Sequence, residues 1–256
     1  MFLGTGTSQG VPVIACPCAV CASDDPRDKR LRSSVLLQTE GKNILIDSGP
    51  DFRQQMLRAD VRHLDAILFT HGHKDHTAGL DDVRAYNYVM QRPMDIYAEQ
   101  RVQKVLQQEF AYVFDERKYP GIPQLNIHII SEEPFAAGCV PIVPIRAMHM
   151  KLPVLGFRVG RLAYLTDANN ISNKEKDKLR DLDCFVVNGL RKEPHLSHFS
   201  LCEALALIEE VQPRKAYITH ISHQMGLHGQ VQTELPPGVS LAYDGLEVCI
   251  DDLPAI

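Results

Sequence analysis

The sequence predicts an α+β protein built from layered sheets and helices, and three observations predict it. Ala66-Ile-Leu-Phe69 reads as a buried strand, and it runs straight into Thr70-His71-Gly-His73-Lys-Asp75-His76. The same design returns at Leu162-Ala-Tyr-Leu-Thr-Asp167 and Ala216-Tyr-Ile-Thr-His220, each an apolar strand ending in Thr and then a metal-type side chain. Between such strands lie stretches of helical periodicity, such as Gln100 to Phe110 and Leu201 to Val211. In layered proteins sites collect where strands end, so side chains delivered by several strand ends converge in space.

The elements follow in order. Met1 to Val13 is a short strand entering the turn-rich loop Gly4-Thr-Gly-Thr-Ser-Gln-Gly10, which is read as backbone geometry near a site rather than a phosphate cradle. Arg32 to Gln38 and Asn43 to Ile46 form a hairpin around Glu40-Gly41, ending at Asp47, which is read as a turn residue or a support for the site. Asp51 to Asp60 is helical, Val61 to Leu64 leads into the central strand, and Leu80 to Gln91 is again helix. Ile96-Tyr97 is a strand, and Tyr112 to Gln124, with Pro120 and Pro123, is expected to be an exposed excursion over the site. Short strands follow to Val143, and Ser200-Leu-Cys-Glu203 reads as a capping box at the start of a helix. Nothing in residues 1–256 resembles a linker or low-complexity stretch, so a single domain is expected.

Composition bounds the function. At 256 residues, 45% hydrophobic and 23% charged, the chain suits a soluble globular protein with a substantial core. A net charge of −5 gives no global attraction to nucleic acid, and no apolar run is long enough to span a membrane. The opening Met1-Phe-Leu-Gly-Thr-Gly has neither the basic flank nor the apolar stretch of a leader. With seven unevenly spread cysteines, this points to a reducing cytoplasm rather than a disulfide framework.

Three imidazoles and a carboxylate within six residues, His71, His73, Asp75 and His76, ask for a divalent cation. In an extended segment His71 and His73 point the same way, and the turn at Lys74-Asp75 redirects Asp75 and His76 to a neighbouring position. The spacing therefore suggests two ions. Cys16-Pro-Cys18-Ala-Val-Cys21 is a soft-metal pattern needing a fourth ligand for a tetrahedral zinc site, and His223 is assigned that place. Cys184 and Cys249 are read as core residues in apolar strands, Cys202 as one in a helix and Cys139 as one beside a strand. His63 and His128 are read as structural, His228 and His195 as loop residues.

His71-Gly-His73-Lys-Asp75-His76 looks like the H-x-H-x-D-H signature of the metallo-β-lactamase superfamily of binuclear hydrolases. The resemblance implies a four-layer αββα sandwich, and it requires a histidine, a bridging aspartate and a histidine in that order. His149, Asp167 and His220 stand in that order. By resemblance, His71, His73 and His149 hold one ion, Asp75, His76 and His220 the other, and Asp167 bridges them. Ions roughly 3.5–4 Å apart could hold a hydroxide between them and neutralise an attacked phosphorus. His198 and Asp75 are the implied catalytic residues, His198 as proton donor to the leaving oxygen.

The opening glycine loop, the cysteine cluster, Tyr-Leu-Thr-Asp167, Thr-His220-Ile-Ser-His223-Gln and Tyr243-Asp-Gly-Leu-Glu together resemble the PhnP-like cyclic-phosphate phosphodiesterase branch. That branch implies two divalent catalytic metals, zinc or manganese, a structural zinc on Cys16, Cys18, Cys21 and His223, and a small phosphodiester substrate. The segment Asp81 to Pro123 departs from the branch, which bears on substrate and not on the metals. A homodimer is left open. Ribonuclease Z shares the metals, but no segment of this chain reads as its long RNA-binding arm. Thioester hydrolases of the superfamily share the signature without the cysteine cluster. A non-catalytic, metal-dependent nucleotide-binding protein would use the same ligands and differ only in turnover.

Overall fold

A computed structural model describes residues 1–115 and 121–250. The first sheet holds β1 (Phe2–Gly4), β2 (Ser34–Thr39), β3 (Lys42–Ile46), β4 (Ala66–Leu68), β5 (Met94–Ala98) and β6 (Leu125–Ile129), in that spatial order. The second holds β7 (Phe135–Ala137), β8 (Val140–His149), β9 (Leu152–Val159), β10 (Leu162–Leu165), β11 (Asn170–Ile171), β12 (Cys184–Asn188), β13 (Lys215–Thr219) and β14 (Val239–Leu241). Its order is β11-β8-β9-β10-β12-β13-β14, with β7 paired to β8. The helices are α1 (Phe52–Arg58), α2 (Lys74–Thr77), α3 (Arg84–Met90), α4 (Gln100–Glu109), α5 (Ala111–Phe114), α6 (Asn173–Lys176), α7 (Leu201–Val211) and α8 (His228–Gln232).

The period-two alternation of strand side chains sorts them into layers. Ile44, Ile46, Ala66 and Leu68 of the first sheet meet Leu155, Phe157, Tyr164 and Val186 of the second in one shared core. Their alternates Leu45 and Ile67 pack outward against Phe52, Val83, Val102 and Leu106 of the helices on that side. On the far side Ala163, Leu165, Phe185 and Val187 pack against Leu201, Ala204, Leu207 and Ile208 of α7. The result is helix on sheet on sheet on helix, the expected αββα sandwich. Each fully buried Leu, Ile or Phe contributes about 1.5–3 kcal/mol relative to exposure, so the three layers supply most of the driving force.

Strand direction places the site. β3, β4, β5 and β6 run parallel, as do β10, β12, β13 and β14. β8 is antiparallel to β9, and β9 to β10, so β8 ends on the same side as β10. The residues after β3, β4, β8, β10 and β13 therefore gather at one edge of the sandwich. Among the described residues, no helix is long and apolar enough to cross a membrane.

Several expectations need correction. The stretch Leu80 to Gln91 is a 3-10 turn, Leu80–Val83, followed by α3, because the turn at Gly79 opens with a tighter hydrogen-bonding pattern. The expected excursion from Tyr112 to Gln124 is partly helix, with Val113 and Ile122 buried, and residues 116–120 lie outside the described residues. Cys184 is buried, but Cys139, Cys202 and Cys249 are exposed. Cys139 sits in the β7–β8 turn, Cys202 lies off the buried face of α7, and Cys249 belongs to no strand. His228 starts α8 and is buried rather than lying in a loop.

Candidate metal centre

Three strand ends present their residues in the left-handed backbone region, Asp47 at φ 63°, Asp167 at φ 53° and His220 at φ 56°. Non-glycine residues stay there only when their surroundings hold them, and such strain concentrates at functional positions. Here hydrogen bonds hold them. Asp47 accepts from the Thr70 N–H at 2.9 Å and the Thr70 hydroxyl at 2.8 Å, tying the end of β3 to the end of β4. The chain after β3 also presses on α2: a Cβ on Gly49 would sit 2.0 Å from the Asp75 carbonyl oxygen, so only glycine fits.

Two clusters form at this edge. Ligand atoms of His71, His73, His149 and Asp167 lie within 4.8 Å of one another, and so do those of Asp75, His76, Asp167 and His220. Asp167 belongs to both. Its Oδ2 stands 3.3 Å from His76 Nε2 and 3.8 Å from His71 Nε2, and its Oδ1 3.0 Å from His220 Nδ1. The redirection of Asp75 and His76 away from His71 and His73 comes from the helical turn of α2.

The hydrogen bonds assign the imidazole tautomers. The Thr70 hydroxyl gives its proton to Asp47, so its oxygen accepts from His71 Nδ1 at 3.0 Å. The Ser33 hydroxyl donates to the Gly6 carbonyl, so it accepts from His220 Nδ1 at 3.1 Å. His149 Nδ1 donates to the Ser197 carbonyl at 2.7 Å, and His76 Nδ1 to Asp47 at 2.7 Å. With Nδ1 of these four rings acting as donor, their Nε2 atoms are left free to meet a metal, the arrangement of oriented imidazole ligands. The Nε2 atoms of His76 and His220 are buried and have no hydrogen-bond partner. His71 Nε2 faces His73 Nδ1 at 3.0 Å, two ring nitrogens converging on one point.

Electrostatics agree. Burial, reinforced by His76, holds His71 well below the ordinary imidazole value, so it stays a neutral donor. Burial opposes charge on His76 as well, yet Asp167, Asp75 and Asp47 hold it well above that value. Three carboxylates around one buried ring make a field that calls for positive charge. Burial also opposes charge on Asp167, but His220 and His76 hold it well below the usual carboxylate range. The donor set fits divalent cations of the zinc or manganese kind.

A third cluster joins the 16–21 loop to the turn after β13. Cys16 Sγ and Cys18 Sγ each lie 3.3 Å from His223 Nδ1, and all four ligand atoms, Cys21 included, lie within 4.8 Å of one another. The Cys21 N–H and His223 lower the Cys18 thiol to about 6, toward the thiolate that binds metal, while burial raises Cys21 to about 11.

His198 lies just before α7, whose Ser200–Glu203 capping box is present. Its Nε2 is 3.3 Å from Asp167 Oδ2, and its ring stacks on His220 at 4.9 Å. Every site residue anticipated from the sequence thus lies in one of the three clusters or, for His198, against Asp167 and His220. Sequence reading missed the contact of His195, whose Nδ1 is 3.2 Å from His198 Nδ1, as well as Ser33 and Ser197, and it saw Thr70 only as the end of a strand pattern. Ser33 and Ser197 belong to no such repeat and carry no spacing signal. Asp47 was anticipated only as a turn or support.

The profile of the beta-lactamase superfamily domain matches residues 42–221. A solved structure described as a new diphosphatase from the PhnP family is 39% identical, with a TM-score of 0.90 over 96% of this chain and 94% of that one. The chain belongs to the PhnP family. This places it in the beta-lactamase superfamily. An octanoyltransferase of Porphyromonas gingivalis is 41% identical over 255 residues, 98% of this chain and 51% of that protein, so the chain spans about half the length of this curated relative. The short form of human tRNase Z, at 19% identity and a TM-score of 0.74 over 98% of this chain and 99% of that one, shares the fold.

Proposed function

We propose that the chain is a phosphodiesterase that hydrolyses a small cyclic or nucleotide-like phosphodiester, such as a ribose 1,2-cyclic phosphate. The observation that carries the reading is the set of inward-facing imidazole nitrogens without partners beside the shared Asp167. In this proposal His71, His73 and His149 would hold one divalent ion, Asp75, His76 and His220 a second, and Asp167 would serve both. Cys16, Cys18, Cys21 and His223 would hold a structural zinc. When bound, the paired ions supply Lewis acidity toward the phosphoryl oxygens and acidify water at neutral pH.

The protein's own groups do the rest. The Asp75 and Asp167 carboxylates set the charge of the site, and His71, His76 and His220 wall it off. Water oxygen attacks phosphorus, the bond from phosphorus to the leaving oxygen breaks, and His198 gives that oxygen its proton. The attacking water loses a proton to solvent, and from a cyclic phosphate the product is one molecule that carries both a phosphomonoester and the freed hydroxyl. The PhnP-family neighbour described as a diphosphatase favours a second reading, in which the bond cut is a phosphoanhydride and the leaving group a phosphate. Octanoyl transfer is named for a protein of which this chain matches 51%.

An alkoxide leaves poorly without a proton, and positioned proton transfer typically contributes ~10²–10⁴-fold. His198→Ala should lose about that much on a ribose cyclic phosphate, far less on bis(nitrophenyl) phosphate, with metal content unchanged. Equal losses on both would remove His198 as the acid. Faster wild-type turnover of a nucleoside diphosphate than of any phosphodiester would favour the diphosphatase reading, and turnover of a transfer-RNA precursor would favour RNA processing. A fully metal-loaded protein inert on every substrate would be a binding protein.

A further inference from the structure

Asn169 stands two residues beyond Asp167, in the short segment between β10 and β11, and the proposed chemistry leaves it without a role. Its hydrogen bonds are unusual for an asparagine in a turn. Such residues commonly bond to their own neighbouring backbone. Asn169 reaches instead to two distant segments. Its main-chain N–H donates to the Met148 carbonyl at 2.9 Å, and its Oδ1 accepts from the Met150 N–H at 2.9 Å. Its Nδ2 donates to the Leu196 carbonyl at 2.8 Å.

Both targets flank site residues. Met148 and Met150 bracket His149, and Met150 holds a left-handed φ of 57°, a strained conformation that the Asn169 acceptor helps to fix. Leu196 lies two residues before His198. Its side chain is 81% exposed, so burial of that apolar group does not anchor the loop. Phe199 anchors the end of the loop in the core, and ahead of it the loop is held by hydrogen bonds: Leu196 to Asn169, the Ser197 carbonyl to His149 Nδ1, and the Phe199 N–H to the Ala168 carbonyl at 2.8 Å. One amide, with a donor end and an acceptor end, thereby joins the turn carrying His149 to the loop carrying His198.

We propose that Asn169 is a positioning residue that sets His198 at the leaving-group side of the site by clipping the Leu196 carbonyl to the His149 turn. This rests on the reading of His198 as the proton donor. The amide's polarity is essential to it: the acceptor end must meet Met150 and the donor end Leu196. Aspartate, nearly the same shape, keeps the first bond and turns the second into an oxygen facing an oxygen. Alanine removes both without adding charge.

Asn169→Asp, Asn169→Ala, His198→Ala and the two double variants test it, each with melting temperature and metal content measured alongside turnover. A misplacement of about 1 Å in a reacting group costs on the order of 10²-fold, so both single Asn169 variants should lose about 10–10²-fold on a ribose cyclic phosphate. They should stay within about threefold of wild type on bis(nitrophenyl) phosphate, whose leaving group needs no proton. In the His198→Ala background neither Asn169 change should cost anything further on the cyclic phosphate, the coupling expected of residues acting through one group. If His198→Ala is selective for the cyclic phosphate while the Asn169 variants lose equally on both substrates, or lose nothing, the positioning role alone is overturned. Additive losses in the double variants overturn it too. If His198→Ala itself is unselective, the proton-donor reading falls, and this inference falls with it.

Discussion

Asp167 shows how much chemistry one side chain can be asked to carry. It is buried, left-handed in backbone, and within 3.3 Å of ring nitrogens on His76, His198 and His220. An anion in such a place is stable only because these partners surround it. The proposal makes it the ligand common to both catalytic ions. Asp167→Ala should then lose turnover on bis(nitrophenyl) phosphate by orders of magnitude, and elemental analysis should show loss of catalytic metal with the thiolate-bound zinc retained. A variant that keeps two catalytic ions and near-normal turnover would remove the bridging role.

The cysteine loop poses a different problem at the scale of an element. Among the described residues its apolar support is a small cluster of Val11, Val20 and Cys21, with Val13, Cys16, Cys18 and Leu227 packed against it. That is too little buried surface to hold a loop between residues 12 and 25 in one shape. Four metal-type ligands drawn from positions 16, 18, 21 and 223 would hold it, tying the loop to the turn after β13. Structural zinc contributes folding free energy directly. Cys18→Ser should lower the zinc content by one ion per chain while sparing most turnover per folded molecule. About 1 kcal/mol moves the melting temperature of a domain this size by ~2–4 °C, so the loss should read as several degrees or more. Unchanged zinc in the purified variant would remove the assignment.

Across the whole molecule, a buried polar junction joins the two ends of the chain. Arg30 donates to Thr5, to the Ala242 carbonyl and, at 3.1 Å, to His228 Nδ1, while the His228 N–H donates to Asp28 at 2.8 Å. Burial, with Arg30 and Arg27 beside it, lowers the His228 imidazole to about 4. The folded protein therefore refuses a proton that the unfolded chain accepts at an ordinary value of about 6.5. Its contribution is complete above pH 6.5 and is lost as the pH falls toward 4. Gln in its place accepts the same hydrogen bond and does not titrate. The melting-temperature gap between wild type and His228→Gln should change between pH 7 and pH 4.5, moving in favour of the variant as acid is added. A gap constant over that range would show that His228 is not strained by protonation.

Much was written locally in the chain. The strand pattern follows from period-two alternation, as Ile44, Leu45 and Ile46 illustrate by facing alternate layers, and a neighbour relation between i and i+2 needs no tertiary information. The capping box at Ser200 and Glu203 and the spacing of the histidines around Gly72 are local in the same sense. The resemblance then supplied the order of His149, Asp167 and His220, which the parallel strands bring to one edge. Tertiary structure alone decided the supporting contacts: Ser33 beneath His220, Ser197 on His149, His195 against His198, and Asn169 between two loops. Each pairs residues between 3 and 187 positions apart through one small polar group, and such a group has no periodicity and no motif to announce it. The same holds for Cys139, Cys202 and Cys249, whose apolar neighbours suggested burial. Whether a side chain is covered depends on what the rest of the chain lays over it, and a short sequence window does not contain that.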